Sequence, residues 1–320
     1  MTSAVYDRQP SDHVIDLSDW NVDDEHYPYA PGTKPKGLVR SSENEGRPFL
    51  RSNHLYMFKY GDDWRRGQFW SEVIAYELSK LCGVEVPASF VAVGGSGEGA
   101  GCLQELFVGG VGPRKDARLV HGADLIQRKN PNFDQKRGRP HLLMENVRLC
   151  RGYQVQNALE GWARIIAFDA LIGNTDRHPE NWGLLRTFSE DVERFELAPI
   201  YDNGTSLGYE VHEDKLVQRC DSDQIDKYVK RGTHHIQGHR DDRVGIHHVD
   251  LCQMVRGQAD ELREVIIRVV NVDLKDVEEI LAWCCDFDVD PAFTPERANF
   301  VRLLIEKRRS LILASMEAKL

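Results

Sequence analysis

Apolar and polar positions alternate over short spans in the first third of the chain, then settle into helical spacing. Residues Lys36–Arg40 and His54–Tyr60 read as strands, joined by the turn-rich SSENEGRPFLRSN into a hairpin or meander. From Gln68 to Cys82 the period changes. Trp70, Val73, Ile74, Leu78 and Leu81 recur at i, i+3, i+4, i+8 and i+11, the face of a helix that Gly83 ends. Ala88–Val93 and Cys102–Val108 return to a strand pattern, divided by GGSGEGAG, which reads as a loop because no helix follows its glycines. Beyond residue 110 helices dominate: Ala123–Lys129, Leu142–Cys150 and Gln154–Ile172, the last closed by Gly173, with short strands at WGLLR and RFELA. From about residue 223 to Leu320 the pattern is almost wholly helical. This order predicts an α+β protein of two lobes: an extended segment over 1–35, a β-rich lobe with one helix over 36–110, and a helical lobe over 111–320. In the first segment Pro28, Pro31 and Pro35 favour an extended path over the body, and Trp20, Tyr27 and Tyr29 argue against disorder.

Composition narrows the function classes. With 41 basic and 51 acidic residues in 320, the formal charge is −10, which disfavours direct nucleic-acid binding or anionic membranes as the main partner. No apolar run approaches the ~20 residues of a spanning helix, and MTSAVYDRQPSDH has no basic region followed by a hydrophobic one. The expectation is a soluble, cytoplasmic protein. Seven cysteines, with none at C-x-x-C spacing and two adjacent at Cys284 and Cys285, are expected to be reduced and mostly buried.

The chemistry lies in FDALIGNTDRHPENWG and in YDNG. Asp176 is followed five positions later by Asn181, and Asp202 comes downstream; each sits beside a short strand after an apolar helix. One carboxylate to orient an attacking hydroxyl and two oxygen donors for a hard cation are what phosphoryl transfer from Mg-ATP needs. Asp176 is the expected catalytic base, with Lys59 the second expected catalytic residue, and Asn181 and Asp202 are the expected Mg²⁺ ligands. Alone, each also fits an Asx-turn or a helix cap. In HLYMFKY, alternation puts Leu55, Met57 and Lys59 on one face and Tyr56 and Phe58 on the other. A lysine on an apolar face needs an anionic partner, and the next helix offers Glu72 and Glu77; helical phase favours Glu77. Arg177 and His178 have two readings, phosphate approach and loop support.

These stretches resemble those of HipA-like kinases, relatives of the protein kinase fold whose catalytic loop is also similar to that of phosphoinositide kinases. The resemblance rests on YMFKY with Lys59, SEVIAYELSKLCGVEVPAS with Glu72, QELF, NTDRHPENWGLL with Asp176, His178 and Asn181, and LAPIYDNGTSLG with Asp202, over residues 50–210. It implies a bilobal kinase fold, ATP and Mg²⁺ as cofactors, Lys59 paired with Glu72 on the phosphates, and adenine held by the backbone of Glu105, Leu106 and Phe107. It implies a serine/threonine kinase acting on a protein substrate, and an antitoxin-like or N-terminal partner protein as in toxin–antitoxin systems. The phosphate loop departs from G-x-G-x-x-G; the candidate is GLVRSSENEGRP, with Gly37, Ser41, Ser42 and Gly46, where Ser41 and Ser42 are candidate autophosphorylation sites. A lipid or small-molecule kinase, and an ATP-binding module with little turnover, stand as alternatives.

One cluster falls outside this set. His234, His235, His239, His247 and His248 match no zinc spacing and lack cysteine partners, so they are expected to form a solvated loop near substrate.

Overall fold

The computed structural model describes residues 6–22, 36–61, 63–95, 99–109, 111, 114–189 and 192–318. Its first sheet has six strands, β1 (Ile15–Asp16), β2 (Asn21–Val22), β3 (Lys36–Arg40), β4 (Leu55–Tyr60), β5 (Ser89–Val93) and β6 (Ala100–Glu105), in the order β1-β5-β6-β4-β3-β2. β1 and β2 occupy opposite edges, although only residues 17–20 join them. Laid flat, five inter-strand gaps would separate the edges by roughly 24 Å. The chain from Asp16 to Asn21 spans at most roughly 18 Å, so the sheet must curl and bring its edges together. The extended N-terminal segment therefore supplies both edge strands. Its Tyr27, Pro28, Tyr29, Pro31 and Pro35 lie outside the described residues, as do residues 96–98 of the glycine-rich loop.

Helix α1 (Phe69–Cys82) packs on this sheet and ends at Gly83, whose left-handed backbone (φ 61°) lets its N–H reach the Ser79 carbonyl. Most of its residues are buried, polar ones included, because it lies between the sheet and the second lobe. That lobe carries a three-stranded sheet, β7 (Arg118–His121), β8 (Gly183–Ser189) and β9 (Val192–Leu197), in sequence order. Its helices are α2 (Gly122–Lys129), α3 (Leu143–Gly152), α4 (Ala158–Ile172), α5 (Leu216–Arg219), α6 (Ser222–Arg231), α7 (His248–Arg256), α8 (Leu262–Val270), α9 (Leu274–Cys285) and α10 (Pro295–Glu317). α4 is the central one: Trp162, Ile166 and Phe168 are fully buried, and α7, α8 and α10 pack around it. All seven cysteines are free and five are buried. Among the described residues no helix is long and apolar enough to cross a membrane.

The period of two along β3 and β4 sorts their side chains as the sequence predicts. Val39, Tyr56 and Phe58 enter the main core. Leu38, Leu55 and Met57 face the other way and meet Leu106, Leu185, Ala198 and Tyr201 in a separate apolar cluster. Strands of both lobes contribute to that cluster, which lies between them. Lys59 shares its face.

Candidate active site

Lys59 Nζ lies 3.0 Å from Glu72 Oε1 and 3.7 Å from Asp202 Oδ1. Burial opposes its charge, but the Glu72 and Asp202 carboxylates outweigh that cost and hold its pKa above the ordinary lysine value. Glu72 is buried and makes a second set of contacts: Oε2 accepts from the Asn203 N–H at 3.0 Å and from Gln104 Nε2 at 3.4 Å. One carboxylate thus ties α1 to β4 and to the Asp202 turn. Helical phase favours Glu77, and the structure corrects this. Glu77 binds Arg8 (3.1 Å) and Lys80 (2.7 Å) instead. Phase misleads here because α1 is buried nearly all round, so its apolar residues do not mark one inner face.

Asp176 and Asn181 sit on the loop after α4. The Asn181 side-chain amide donates to the Asp176 carbonyl at 2.8 Å, its N–H bonds the His178 carbonyl at 2.8 Å, and the Asp176 N–H is held by Asn174 Oδ1 at 3.0 Å. Asp176 leaves its carboxylate 45% exposed, and Asp202 leaves its own 36% exposed. Asp202 takes a left-handed backbone (φ 56°), a conformation that Asp tolerates better than most residues. The two segments join where Thr205 Oγ1 bonds Asn174 Oδ1 at 3.3 Å.

The brace beneath them is Arg177, a residue with two readings in the sequence. Only 1% exposed, it donates from Nε and Nη2 to Asp169 (2.9 and 2.8 Å), from Nη2 to Asn203 Oδ1 (2.7 Å), and from Nη1 to the carbonyls of Asn181 (2.7 Å) and Tyr201. One guanidinium therefore fixes α4, the Asp176 loop and the Asp202 turn to one another. Burial opposes ionisation of Asp169, yet Arg177 and His234 prevail and hold its pKa below the usual carboxylate range. His234 Nε2 lies 3.1 Å from Asp169 Oδ2. Asp169 and Asn203 escape the sequence reading, and His234 enters it only as part of a solvated loop; Asp169 had a signal, since a lone acid inside the apolar run WARIIAFDALIG requires a buried partner.

His178 is partly exposed and accepts the Glu180 N–H through Nδ1, which ties it to its own loop. The histidine cluster is not a solvated loop: His234 and His248 are buried, and only His239 and His247 are exposed. Among the described residues no group of three or more His, Cys, Asp or Glu forms a metal cluster. Of the candidate phosphate loop GLVRSSENEGRP, Gly37 lies in β3 opposite Phe58, next to Lys59, whereas Ser41, Ser42 and Gly46 fall in the connection beyond the Arg40–Leu55 pair. Ser41 and Ser42 thus lie at the far end of β4, roughly 13 Å along the strand from Lys59. Ser41 is buried and donates to the Arg51 carbonyl at 2.6 Å, and Ser42 is exposed.

At the Glu105–Phe107 segment, Leu106 is committed on both sides of its peptide: its N–H to the Leu55 carbonyl (3.0 Å), its carbonyl to His54 Nε2 (3.1 Å). The Glu105 N–H binds the Ala88 carbonyl at 2.7 Å. Among the described residues the peptide groups of Phe107 make no hydrogen bond. A cavity of about 820 Å³ lies behind this segment, lined by Tyr6, Arg51 and Glu105, and none of Lys59, Asp176, Asn181 or Asp202 borders it.

Residues 29–269 match the family model described as the HipA-like C-terminal domain. A curated relative, the serine/threonine-protein kinase CtkA of Helicobacter pylori, is 24% identical over 155 residues, which cover 48% of this chain and 44% of that protein. The matched stretch thus spans under half the length of that relative. The crystal structure of the Helicobacter pylori proinflammatory kinase CtkA superposes with a TM-score of 0.75 at 16% identity, over 95% of this chain and 97% of the other, so the fold is kinase-like. HipA of Shewanella oneidensis MR-1, solved with HipB and operator DNA, gives a TM-score of 0.49 at 15% identity over 90% of this chain and 64% of that one, an overlap too loose to carry anything across from that complex.

Proposed function

Since this chain belongs to the family of HipA-like C-terminal domains, we propose that it is a kinase that transfers the γ-phosphoryl group of Mg-ATP to a serine or threonine hydroxyl of a protein. The observation that carries this reading is Lys59 held between Glu72 at 3.0 Å and Asp202 at 3.7 Å. A lysine already neutralised by one buried carboxylate, and leaning toward a partly exposed one, is placed to meet phosphate oxygens as a point charge. The apolar cluster of Leu38, Leu55, Met57, Leu185 and Tyr201 suits the faces of an adenine ring, and the peptide groups of Phe107 are left for its edge.

The donor set fits magnesium. Asn181 gives its amide N–H to the Asp176 carbonyl, which leaves Oδ1 as a neutral oxygen donor, and Asp202 supplies an anionic one. These two residues would hold the ion, whose charge stabilises the transferring phosphoryl group. Asp176 orients the acceptor hydroxyl and takes its proton, so its exposed carboxylate must point to where the acceptor arrives. Arg177 touches no reactant; it positions both segments from below. An antitoxin-like partner belongs to this proposal only by family analogy.

Incubation with Mg-ATP and a protein acceptor, followed by intact-mass analysis, tests the reading. Phosphate should appear on the acceptor or on the chain itself, and Asp176→Ala should reduce its rate at least about 100-fold. An Asp176→Ala protein that gains phosphate at the wild-type rate overturns the assignment.

A further inference from the structure

We propose that the phosphate acceptor is carried on an acidic polypeptide segment, held in a basic groove beside Asp176; this rests on the kinase reading above. The groove has a volume of about 490 Å³, and Gly173 and Thr175, which lead into Asp176, form part of its wall. Lys215, Arg219, Lys227, Arg231 and Arg308 line it, against a single carboxylate, Glu210. Five cations to one acid stand out in a chain whose net charge is −10. Electrostatic focusing of this kind selects an anionic ligand.

The pairing pattern points the same way. Nearby, Lys230 and Lys307 both bind Asp226 at 2.7 Å, and Arg297 binds Glu213, so this surface does neutralise cations outside the groove. Among the described residues Lys215, Lys227 and Arg231 form no ion pair, and Arg219 bonds only the carboxamide of Gln224 at 3.2 Å. Arg308 is the deepest of the set, 4% exposed. It contacts the Ile172 carbonyl at 3.4 Å and lies 5.8 Å from the Tyr228 ring centroid, with no carboxylate in ion-pair range. Its guanidinium rests so close to Gly173 that a Cβ there would come within 2.2 Å. Glu210 favours its charge from a distance and accepts from the Tyr228 hydroxyl at 2.5 Å, but makes no direct ion pair with it, so an anion entering the groove would relieve the cost of burying this guanidinium.

A polypeptide suits the groove better than a nucleic acid. The excess positive charge is local, and a long polyanion leaving the groove would meet a surface of net negative charge. An acceptor serine or threonine at Asp176 would place flanking Asp, Glu or phosphorylated residues against Lys227, Arg231 and Arg308.

The test uses the full chain with Mg-ATP and three peptides of equal length, whose acceptor is flanked by Asp/Glu, by Gln or by Lys. The acidic peptide should show a kcat/KM roughly tenfold above the Gln peptide, as expected of a few partly exposed charge pairs, with the advantage shrinking in high salt. The exposed double variant Lys227→Glu/Arg231→Glu should invert the order in favour of the Lys peptide and leave ADP formation without peptide unchanged. Peptide anisotropy without nucleotide reads the groove independently of turnover. Equal binding of the three peptides, or binding unmoved by the double variant, overturns the groove assignment while ADP formation stands. Single-stranded RNA that binds more tightly and displaces the acidic peptide assigns the groove to nucleic acid and also overturns it. Acidic peptide bound in a charge-dependent way, with no ADP formed and no peptide phosphorylated, defeats instead the kinase reading and the acceptor role that depends on it.

Discussion

Arg177 joins four acceptor residues, Asp169, Asn181, Tyr201 and Asn203, through one planar group, and so determines where the reactive side chains sit. Arg177→Ala strands the Asp169 carboxylate in the core and should cost about 3–5 kcal/mol by denaturant titration. Arg177→Lys should recover little of it, since an ammonium cannot reproduce the fork. A loss under about 1 kcal/mol would contradict the bracing role. Burial and the nearby Arg51 push the His54 imidazole down to about 4 from its ordinary 6.5, and the neutral ring accepts from the Val111 N–H while donating to Leu106. The folded state therefore disfavours its proton, so its contribution is complete above pH 6.5 and fades as pH falls toward 4. His235, pushed down to about 3 by burial and Arg139, adds to the same slope. Urea midpoints should decline across that window, and a flat profile from pH 7 to 4 would contradict the assignment. At this scale Lys59 stood out as a cation on an apolar strand face, whereas Asp176, Asn181 and Asp202, each of which alone fits a turn or cap, stood out only through their concurrence and the family resemblance. Glu72 was not separable from Glu77 by phase, because a helix buried on all sides has no polar face to count from.

The elements were legible wherever a period of two or 3.6 ran cleanly, as in β4, α1 and α4. Register was not. The candidate phosphate loop GLVRSSENEGRP runs from β3 into its connection with β4, but the pairing of Lys36 with Lys59 leaves only Gly37 near Lys59 and sends Ser41, Ser42 and Gly46 toward the opposite end of the hairpin. Which end of a strand a lysine occupies depends on pairing, and pairing is a tertiary fact. Likewise, β1 and β2 are too short to carry a strand signal of their own, yet their positions at the two edges are what require the sheet to curl. The junction between α4 and the Asp176 loop offers the element-scale test. Gly173 is left-handed (φ 68°), caps α4 through its N–H to the Asp169 carbonyl, and packs on Arg308. Gly173→Ala should destabilise the protein by more than about 1 kcal/mol from the backbone alone. It should also lower kcat more than it raises the KM for ATP, since the displaced loop carries Asp176. Wild-type stability and kcat in this variant would contradict the view that the cap sets the loop.

For the whole molecule, sequence order alone announced two lobes of α+β character, and the kinase-like fold agrees. The way the lobes meet was hidden, because Leu38, Met57, Leu185 and Tyr201 come from distant segments and only the folded chain gathers them into one cluster. The charge balance was similarly opaque: a net −10 gave no sign that five cations would converge beside Asp176. Lys59 and Glu72 from the first lobe meet Asp202 from the second, and Arg177 ties the loop of Asp176 and Asn181 to the Asp202 turn, so that these residues can serve a single nucleotide. The most direct measurement is a crystal structure with a non-hydrolysable ATP analogue and Mg²⁺. The base should lie against the Leu38–Leu185 cluster, the phosphates at Lys59 and the ion between Asn181 and Asp202. A nucleotide bound elsewhere, or a γ-phosphate out of reach of Asp176, would contradict this placement.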